Sequence, residues 1–205
     1  MPTDRPAPDL PIPDRIAAAL TEEIVRGDRL PGEKLAQDHI AQSFQTSHVP
    51  VREALLRLVA RGLATNEPRR GVRVAPFSAA ATREVVEMRI ALEPLALRRA
   101  AAHMTAADLA LAEAARQACD AAEDAYAWEK QNRAFHLAIL RPCRMPRLLA
   151  EIEVLQQLNA RHFHASWRSS WEARTDQDHR AIMAALLRKD VEGAAMVLRR
   201  HLDRI

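Results

Sequence analysis

Glycine nearly disappears from this chain after Pro76, and this loss constrains the fold more than any other feature. Four of the five glycines precede residue 76, and Gly193 is the fifth. Because glycine and proline are the residues that most often interrupt helices, a turn-rich first part gives way to nearly continuous helix. We therefore expect a boundary near Pro76 and an all-helical second domain at 77–205.

The composition favours a mostly α protein with a substantial core. Aromatic residues make up only 4% of the 205 residues, alanine recurs throughout, and 48% of the side chains are hydrophobic. Small side chains favour closely packed helices over strand-rich sandwiches. The apolar content also excludes disorder as a description of the whole chain.

Several classes of protein are disfavoured. Cys119 and Cys143 are too few for a disulfide framework and lack metal-finger spacing, so they are predicted to be ordinary thiols in a reducing compartment. No apolar run approaches the ~18 residues of a membrane span, and no basic and apolar leader begins the chain. We expect a cytoplasmic protein without a membrane partner.

The chain is predicted to begin with an arm. Five prolines fall within residues 1–13, which favours an extended segment outside the core. Asp14 is then a plausible N-cap for a first helix that has Ile16, Leu20 and Ile24 on one face. The first folded domain is therefore placed at 14–76.

Two further helices and a hairpin complete this domain. A second helix follows the turn at Pro31-Gly32, and Ser47 is the predicted N-cap of a third, whose first turn tolerates Pro50. Residues 63–66 and 72–75 are predicted to be short strands with basic residues between them. Three helices and a hairpin in this order describe a winged helix-turn-helix.

Positive charge is concentrated in the third helix and the hairpin. Residues 47–73 hold six arginines against two glutamates, a local surplus of four in a chain whose total is +3. Duplex DNA attracts such a surface through its phosphates, and a recognition helix can place arginine on guanine edges. Arg52 and Arg70 are the favoured DNA contacts, whereas Arg57 and Arg61 are expected to form a solvated helix face.

The same stretch resembles the DNA-binding domain of the GntR family of bacterial transcription regulators. The resemblance is carried by Pro31-Gly32-Glu33-Lys34-Leu35, by Pro50-Val51-Arg52-Glu53-Ala54-Leu55 and by Arg70-Gly71. It implies DNA contacts by the residues at the start of the third helix and at the wing tip. These are Ser47, His48, Pro50, Arg52, Arg70 and Gly71.

Two departures from the family pattern lie in this domain. His48 stands where the family usually has arginine, and Asp38 stands near a position where many members have another. A mostly neutral imidazole and an anionic carboxylate both lower the attraction to phosphate. DNA binding is still implied, but the operator sequence is not transferable.

The second domain is predicted to contain six helices, near 78–103, 105–122, 124–140, 146–166, 174–189 and 190–204. In the first of them, Val85, Met88, Leu92 and Leu95 form the expected buried stripe, and Pro94 predicts a local kink. The last two helices are separated by only Lys189-Asp190, which favours antiparallel packing in a bundle.

Asn132 and His136 lie one turn apart in the third of these helices and can share a ligand. The spacing alone is weak evidence for a metal site, because a single histidine on a helix is more often a surface or hydrogen-bonded residue.

The segment 78–205 resembles the FCD domain, the effector-binding domain of the FadR-like GntR subfamily, in its shorter, VanR-like form with six helices. The matching pieces are Glu87-Met88-Arg89, Leu92-Glu93-Pro94, Phe135-His136, Asp178-His179 and His201-Leu202.

This resemblance implies a divalent metal ion of the Zn, Ni or Mn type, held by Asn132, His136, His179 and His201. Asn132 replaces the usual aspartate, so the ligand set is neutral and favours an anionic effector. A small carboxylate is expected to pair with Arg89, for which an internal salt bridge with a buried acid is the alternative.

We thus predict a homodimeric repressor that binds a double-stranded DNA operator and responds to an organic acid. One alternative is a metal-responsive regulator without an organic effector. Another is a metal-dependent enzyme, which is disfavoured because no acid flanks His136 or His201 in sequence and Asp178 is expected to project away from the site.

Overall fold

The computed structural model describes residues 10–167 and 176–204, and these residues form two compact units that divide between Ser78 and Ala79. The fold class is the one predicted: a helix-turn-helix with a two-stranded wing, followed by an all-helical domain. No helix of the described residues is both long and apolar enough to cross a membrane.

The first unit contains three helices, α1 (Ile12–Arg26), α2 (Gln37–Ser43) and α3 (His48–Ala60). The prediction that Asp14 caps α1 is wrong, because the N-cap is Pro11, three residues earlier, and the helix begins at Ile12. Proline is well suited to the first turn, since its fixed φ is helical and its missing N–H is not needed there. Most of the predicted arm, residues 1–9, lies outside the described residues.

Aliphatic side chains from the three helices fill the core of this unit. Ile16, Leu20 and Ile24 of α1 are almost completely buried, as are Val51, Leu55 and Leu58 of α3 and Ile40 of α2. Val59, which was expected to be buried, is only half-buried. This core holds α3 so that its first turns remain at the surface.

The wing consists of β1 (Ala64–Glu67) and β2 (Gly71–Val74), paired antiparallel with Ala64 opposite Val74. The segment 32–35 adds a third, strand-like edge. Leu35 N–H donates to Val72 O and Val74 N–H donates to Glu33 O, each at 2.9 Å. The hairpin is therefore anchored along β2, and its turn at 68–70 projects from a fixed base.

The second unit contains six α-helices among its described residues: α4 (Ala79–Ala101), α5 (Ala106–Asp120), α6 (Ala125–Leu140), α7 (Pro146–Trp167), α8 (Gln177–Leu187) and α9 (Val191–Asp203). All six were predicted, with boundaries that differ by a few residues. Phe135, Ile139, Ile152, Ile182 and Leu198 lie at the centre of the core.

Gly193 has a specific reason to be glycine. Asp190 caps α9 by accepting a hydrogen bond from Gly193 N–H at 2.9 Å. A Cβ at position 193 would collide with that carboxylate. The glycine that remains in the helical unit thus permits a tight cap between α8 and α9, which pack together as predicted.

The stripe predicted for α4 is partly wrong. Met88 and Leu95 are 41% and 40% exposed, whereas Arg89 and Glu93 are 2% and 0% exposed. The charged pair can occupy the interior because its members neutralise each other one helical turn apart. Pro94 lies inside α4, which runs without interruption from Ala79 to Ala101.

Candidate functional site

The start of α3 presents polar groups to solvent. Ser47 is the N-cap residue, but its side chain makes no capping hydrogen bond, and Ser47, His48 and Arg52 are all exposed. Pro50 lies in the first turn, half-buried. An uncapped N-terminus leaves backbone N–H groups and the Ser47 hydroxyl for an external acceptor such as phosphate.

The two departures from the family pattern lie next to each other. His48 Nδ1 is 3.7 Å from Asp38 Oδ1, and both side chains are well exposed. This face therefore holds an imidazole beside a carboxylate where two arginines would have given a strong positive field.

The six arginines of residues 47–73 fall into two groups. Arg57 pairs with Asp14 of α1, and Arg73 Nη1 donates to Gly32 O at 2.8 Å, so these two support the domain itself. Arg52, Arg61, Arg69 and Arg70 are exposed. Arg70, at the wing tip, is 3.2 Å from Glu67 Oε2 and precedes Gly71, whose φ is +79°.

The second unit contains a buried cluster of three histidines. His136 of α6, His179 of α8 and His201 of α9 each offer one ring nitrogen, and these atoms lie within 4.8 Å of one another. His136 Nε2 is 3.3 Å from His201 Nε2. The structure thus brings together three residues separated by up to 65 positions in the sequence.

Polar atoms without a partner accompany the cluster. Neither ring nitrogen of His179 has a hydrogen-bond partner among the described residues, and the same holds for Asn132 Oδ1, one turn before His136. Both side chains are buried. Buried polar atoms nearly always have a hydrogen-bond partner or a bound ion in proteins. These unpartnered atoms are therefore the expected ligands of a cation.

The imidazoles of His179 and His201 are held in the neutral form. Burial is the main cause: it lowers the pKa of His201 to about 3 and that of His179 still further, and the neighbouring His136 adds to both effects. A neutral imidazole is the form that binds metal ions. The donor set therefore fits a Zn, Ni or Mn type of cation chemically.

A buried charge network supports His136 from behind. Glu93 Oε2 lies 2.8 Å from His136 Nδ1, and Glu93 Oε1 accepts from Arg89 Nε at 2.7 Å. Burial alone would raise the pKa of Glu93, but the charges and hydrogen bonds of Arg89 and His136 lower it to about 2. Arg89 therefore forms the internal salt bridge that the sequence allowed as an alternative to effector binding.

Three acidic residues of this region were missed or misplaced by the sequence analysis. Glu93 flanks His136, although no acid is adjacent to it in sequence. Asp178 does not project away, because its Oδ2 lies 3.8 Å from His201 Nδ1. Asp176 Oδ2 is 3.6 Å from His179 Nε2 and 3.8 Å from His201 Nδ1. The sequence held one sign of this arrangement: Arg89 and Glu93 are four positions apart, the spacing at which two helical residues can form an ion pair.

Comparison with known proteins gives consistent matches for both units. The model of the bacterial regulatory proteins of the gntR family matches residues 13–74, and the FCD domain model matches 84–204. The HTH-type transcriptional repressor GlaR of Escherichia coli K12 is 32% identical over 200 residues, covering 89% of each chain. The galactonate operon transcriptional repressor of the same strain is 28% identical over 205 residues, covering 88% of this chain and 89% of its own. The solved structure of E. coli McbR/YncC covers 95% of both chains with a TM-score of 0.83 and 26% identity.

Proposed function

The chain belongs to the gntR family of bacterial regulatory proteins and carries an FCD domain, and from this premise we propose that it is a repressor controlled by an organic acid. DNA-binding transcription regulation is the function of the family, and the relatives and the fold are those of regulators rather than enzymes. The proposal adds the direction of control, the metal, the effector and the dimer.

Repression is supported by the relatives. GlaR and the galactonate operon protein, which match most of this chain, are both repressors. The contacts proposed for the operator are Ser47, His48, Pro50, Arg52, Arg70 and Gly71. Arg52 is the side chain placed to reach bases, because it is exposed in the second turn of α3.

The buried histidine cluster is the observation that carries the sensing proposal. Asn132, His136, His179 and His201 would hold a divalent cation through neutral donors, and among the described residues Asn132 Oδ1 and both ring nitrogens of His179 lack a hydrogen-bond partner. When bound, the cation would offer its remaining coordination positions to a carboxylate. The proposed ligands are three neutral imidazoles and one amide, so they add no negative charge of their own, which favours an anionic effector.

Arg89 is the proposed second contact for the carboxylate. Its Nε donates to Glu93, but a guanidinium carries further donors that can pair with an acid. The galactonate operon repressor is named for the operon of a sugar acid, which agrees with an acidic effector in this chain.

A dimer is supported by the exposed side of α4. Met88 and Leu95 lie seven positions apart on this helix and are both about two-fifths exposed. Two apolar residues two turns apart form a stripe that a second copy of the chain would cover. A dimer also matches the two half-sites of a palindromic operator.

Metal analysis and operator binding test the sensing proposal together. Purified protein should contain about one divalent ion per chain, and His179→Gln should lose it while His103→Gln, an exposed histidine of the same unit, keeps it. Operator binding is then measured with a chelator and with a panel of carboxylic acids. Release by an acid only in the metal-loaded protein supports the proposal, whereas release by chelation alone, with no acid effect, favours the purely metal-responsive regulator.

Arg52→Ala tests the interface. The loss of one base contact should weaken operator binding by roughly 1–3 kcal/mol, or about 5–150-fold. Arg188→Ala removes an exposed arginine from the end of α8 and is the matched control. Equal affinities for the two variants would contradict the placement of Arg52 at the bases.

A further inference from the structure

Each histidine of the cluster has one ring nitrogen near a carboxylate. For His136 the acceptor is Glu93, 2.8 Å from Nδ1, which leaves Nε2 to face His201 Nε2 at 3.3 Å. A carboxylate behind a metal-binding histidine fixes its tautomer and raises its basicity. This arrangement defines two sides of the cluster: an inner side where Nε2 of His136 meets Nε2 of His201, and an outer side lined by acids.

His201 and His179 present their outer nitrogens to Asp176. His201 Nδ1, opposite the nitrogen that faces His136, is 3.8 Å from Asp176 Oδ2, and His179 Nε2 is 3.6 Å from the same oxygen. His179 is completely buried, and neither of its nitrogens has a hydrogen-bond partner among the described residues. One oxygen of Asp176 thus lies within 4 Å of two imidazoles.

The capping geometry of α8 directs that oxygen at the cluster. Asp176 is the N-cap residue, and its Oδ1 accepts from Asp178 N–H at 2.9 Å and His179 N–H at 3.1 Å. Asp176 N–H in turn donates to Asp120 Oδ1 at 3.3 Å. With Oδ1 engaged by the helix, Oδ2 is the atom that remains for the histidines.

The carboxylate of Asp176 has no lysine or arginine partner among the described residues. In the described part of the chain, the groups within ion-pair distance of Asp176 are His179 and His201, not lysine or arginine. Asp178 lies equally close to His201, but it is paired with Arg200 and with Arg204, the latter at 3.3 Å. The charge of Asp178 is therefore already compensated.

We propose that Asp176 is the positioning carboxylate of the histidine cluster and supplies the negative charge that Asn132 lacks. When the cation is bound, a small closing movement would let Oδ2 accept hydrogen bonds from His179 Nε2 and His201 Nδ1, now 3.6 and 3.8 Å away, and orient the other nitrogen of each ring towards the cation. This inference rests on the proposed metal function. It assigns a role to a residue that the family pattern of ligands does not include.

The test removes the charge of Asp176 but preserves its capping of α8. Asparagine caps helices as well as aspartate does, so Asp176→Asn keeps the acceptor for the α8 amides while removing the charge. We expect the dissociation constant for Zn²⁺, measured on the full chain by competition with a chelating dye, to rise about 10–100-fold. The absorption spectrum of the Co²⁺-loaded protein should change, while the melting temperature of the metal-free protein should not.

Two further variants separate charge supply from a general structural effect. Asp178→Asn removes the other carboxylate at 3.8 Å from His201 and should change metal affinity far less, because Arg200 and Arg204 already compensate it. Adding Asn132→Asp to Asp176→Asn should restore much of the lost affinity by returning a carboxylate to the site.

The possible results are distinct. If the wild-type chain binds none of Zn²⁺, Ni²⁺ and Mn²⁺, both the metal function and this inference fail. If the wild type binds but Asp176→Asn binds equally well, or Asp178→Asn loses as much affinity, the inference alone is overturned.

Discussion

Replacing Glu93 by glutamine should destabilise the helical unit severely. Glu93 is fully buried and contacts Arg89 Nε at 2.7 Å and His136 Nδ1 at 2.8 Å. An amide of the same shape would leave the Arg89 charge in the interior without an anion. Removing one partner of a buried ion pair costs about 3–5 kcal/mol.

That cost corresponds to a large change in melting temperature. The second unit spans Ala79–Ile205, and unfolding entropies of roughly 2.1 cal/mol/K per residue give about 0.27 kcal/mol/K for a unit of this length. The melting temperature of its transition, followed by calorimetry in the presence of a chelator, should therefore fall by about 11–19 °C. The chelator separates this effect from any loss of bound metal.

An exposed ion pair between α4 and α9 provides the control. Glu192 is 71% exposed and pairs with Arg98 of α4 at 2.9 Å, so Glu192→Gln should leave the melting temperature close to that of the wild type. A double replacement, Arg89→Met with Glu93→Leu, removes both charges and should recover much of the stability. If Glu93→Gln melts within a few degrees of Glu192→Gln, the network does not stabilise the unit as argued.

Three further outcomes are expected. Arg70→Ala should weaken operator binding almost equally for all sequences and reduce the salt dependence by about one phosphate contact, as measured by titrations at several salt concentrations. Gly71→Ala should destabilise the first unit by about 1 kcal/mol in thermal unfolding, because φ at this position is +79°, while a Cβ would meet only Lys34 Cε at 3.9 Å. Gly71→Asn should cost less, because asparagine tolerates a positive φ better than alanine does. Cys119 should not react with a thiol reagent at pH 8.5 until the protein is unfolded, since burial and nearby acids raise its pKa to about 12 and keep the thiol protonated.

Much of the architecture could be predicted because breakers and caps are local signals. The six helices of the second unit followed from the positions of proline, glycine and aspartate, such as Asp190 before α9. The exact start of α1 could not be predicted, because Asp14 resembles a cap while Pro11 and Pro13 are compatible with an earlier start. Cap preferences allow both choices, and packing decides between them.

The interior of α4 shows where periodicity fails. Apolar spacing favoured a face containing Met88 and Leu95, yet the buried face carries Arg89 and Glu93. A prediction from hydrophobic periodicity places charged residues on the solvent-exposed face of a helix. This does not hold when two opposite charges one turn apart neutralise each other. Similarly, Asn132 and His136 were visible as a pair, but no local rule places His179, His201 or Asp176 beside them. Those contacts depend on how α6, α8 and α9 pack.

The buried charges of this region also indicate which acids the site should prefer. The charges of Arg89 and Glu93 cancel, Asn132 and the ligating imidazoles are neutral, and Asp176 in its proposed role contributes one negative charge. With a divalent cation the proposed site carries a net charge of about +1, which one monocarboxylate neutralises. Asp176→Asn raises that charge by one unit, so it should shift the preference towards dicarboxylates.

A unit charge about 10 Å away contributes about 1.7 kcal/mol at an effective dielectric constant of 20, which corresponds to a more than tenfold change in relative affinity. Calorimetric titration of the metal-loaded wild type and variant with butyrate and with succinate measures this ratio, and an unchanged ratio would show that the charge of Asp176 is not felt by the effector.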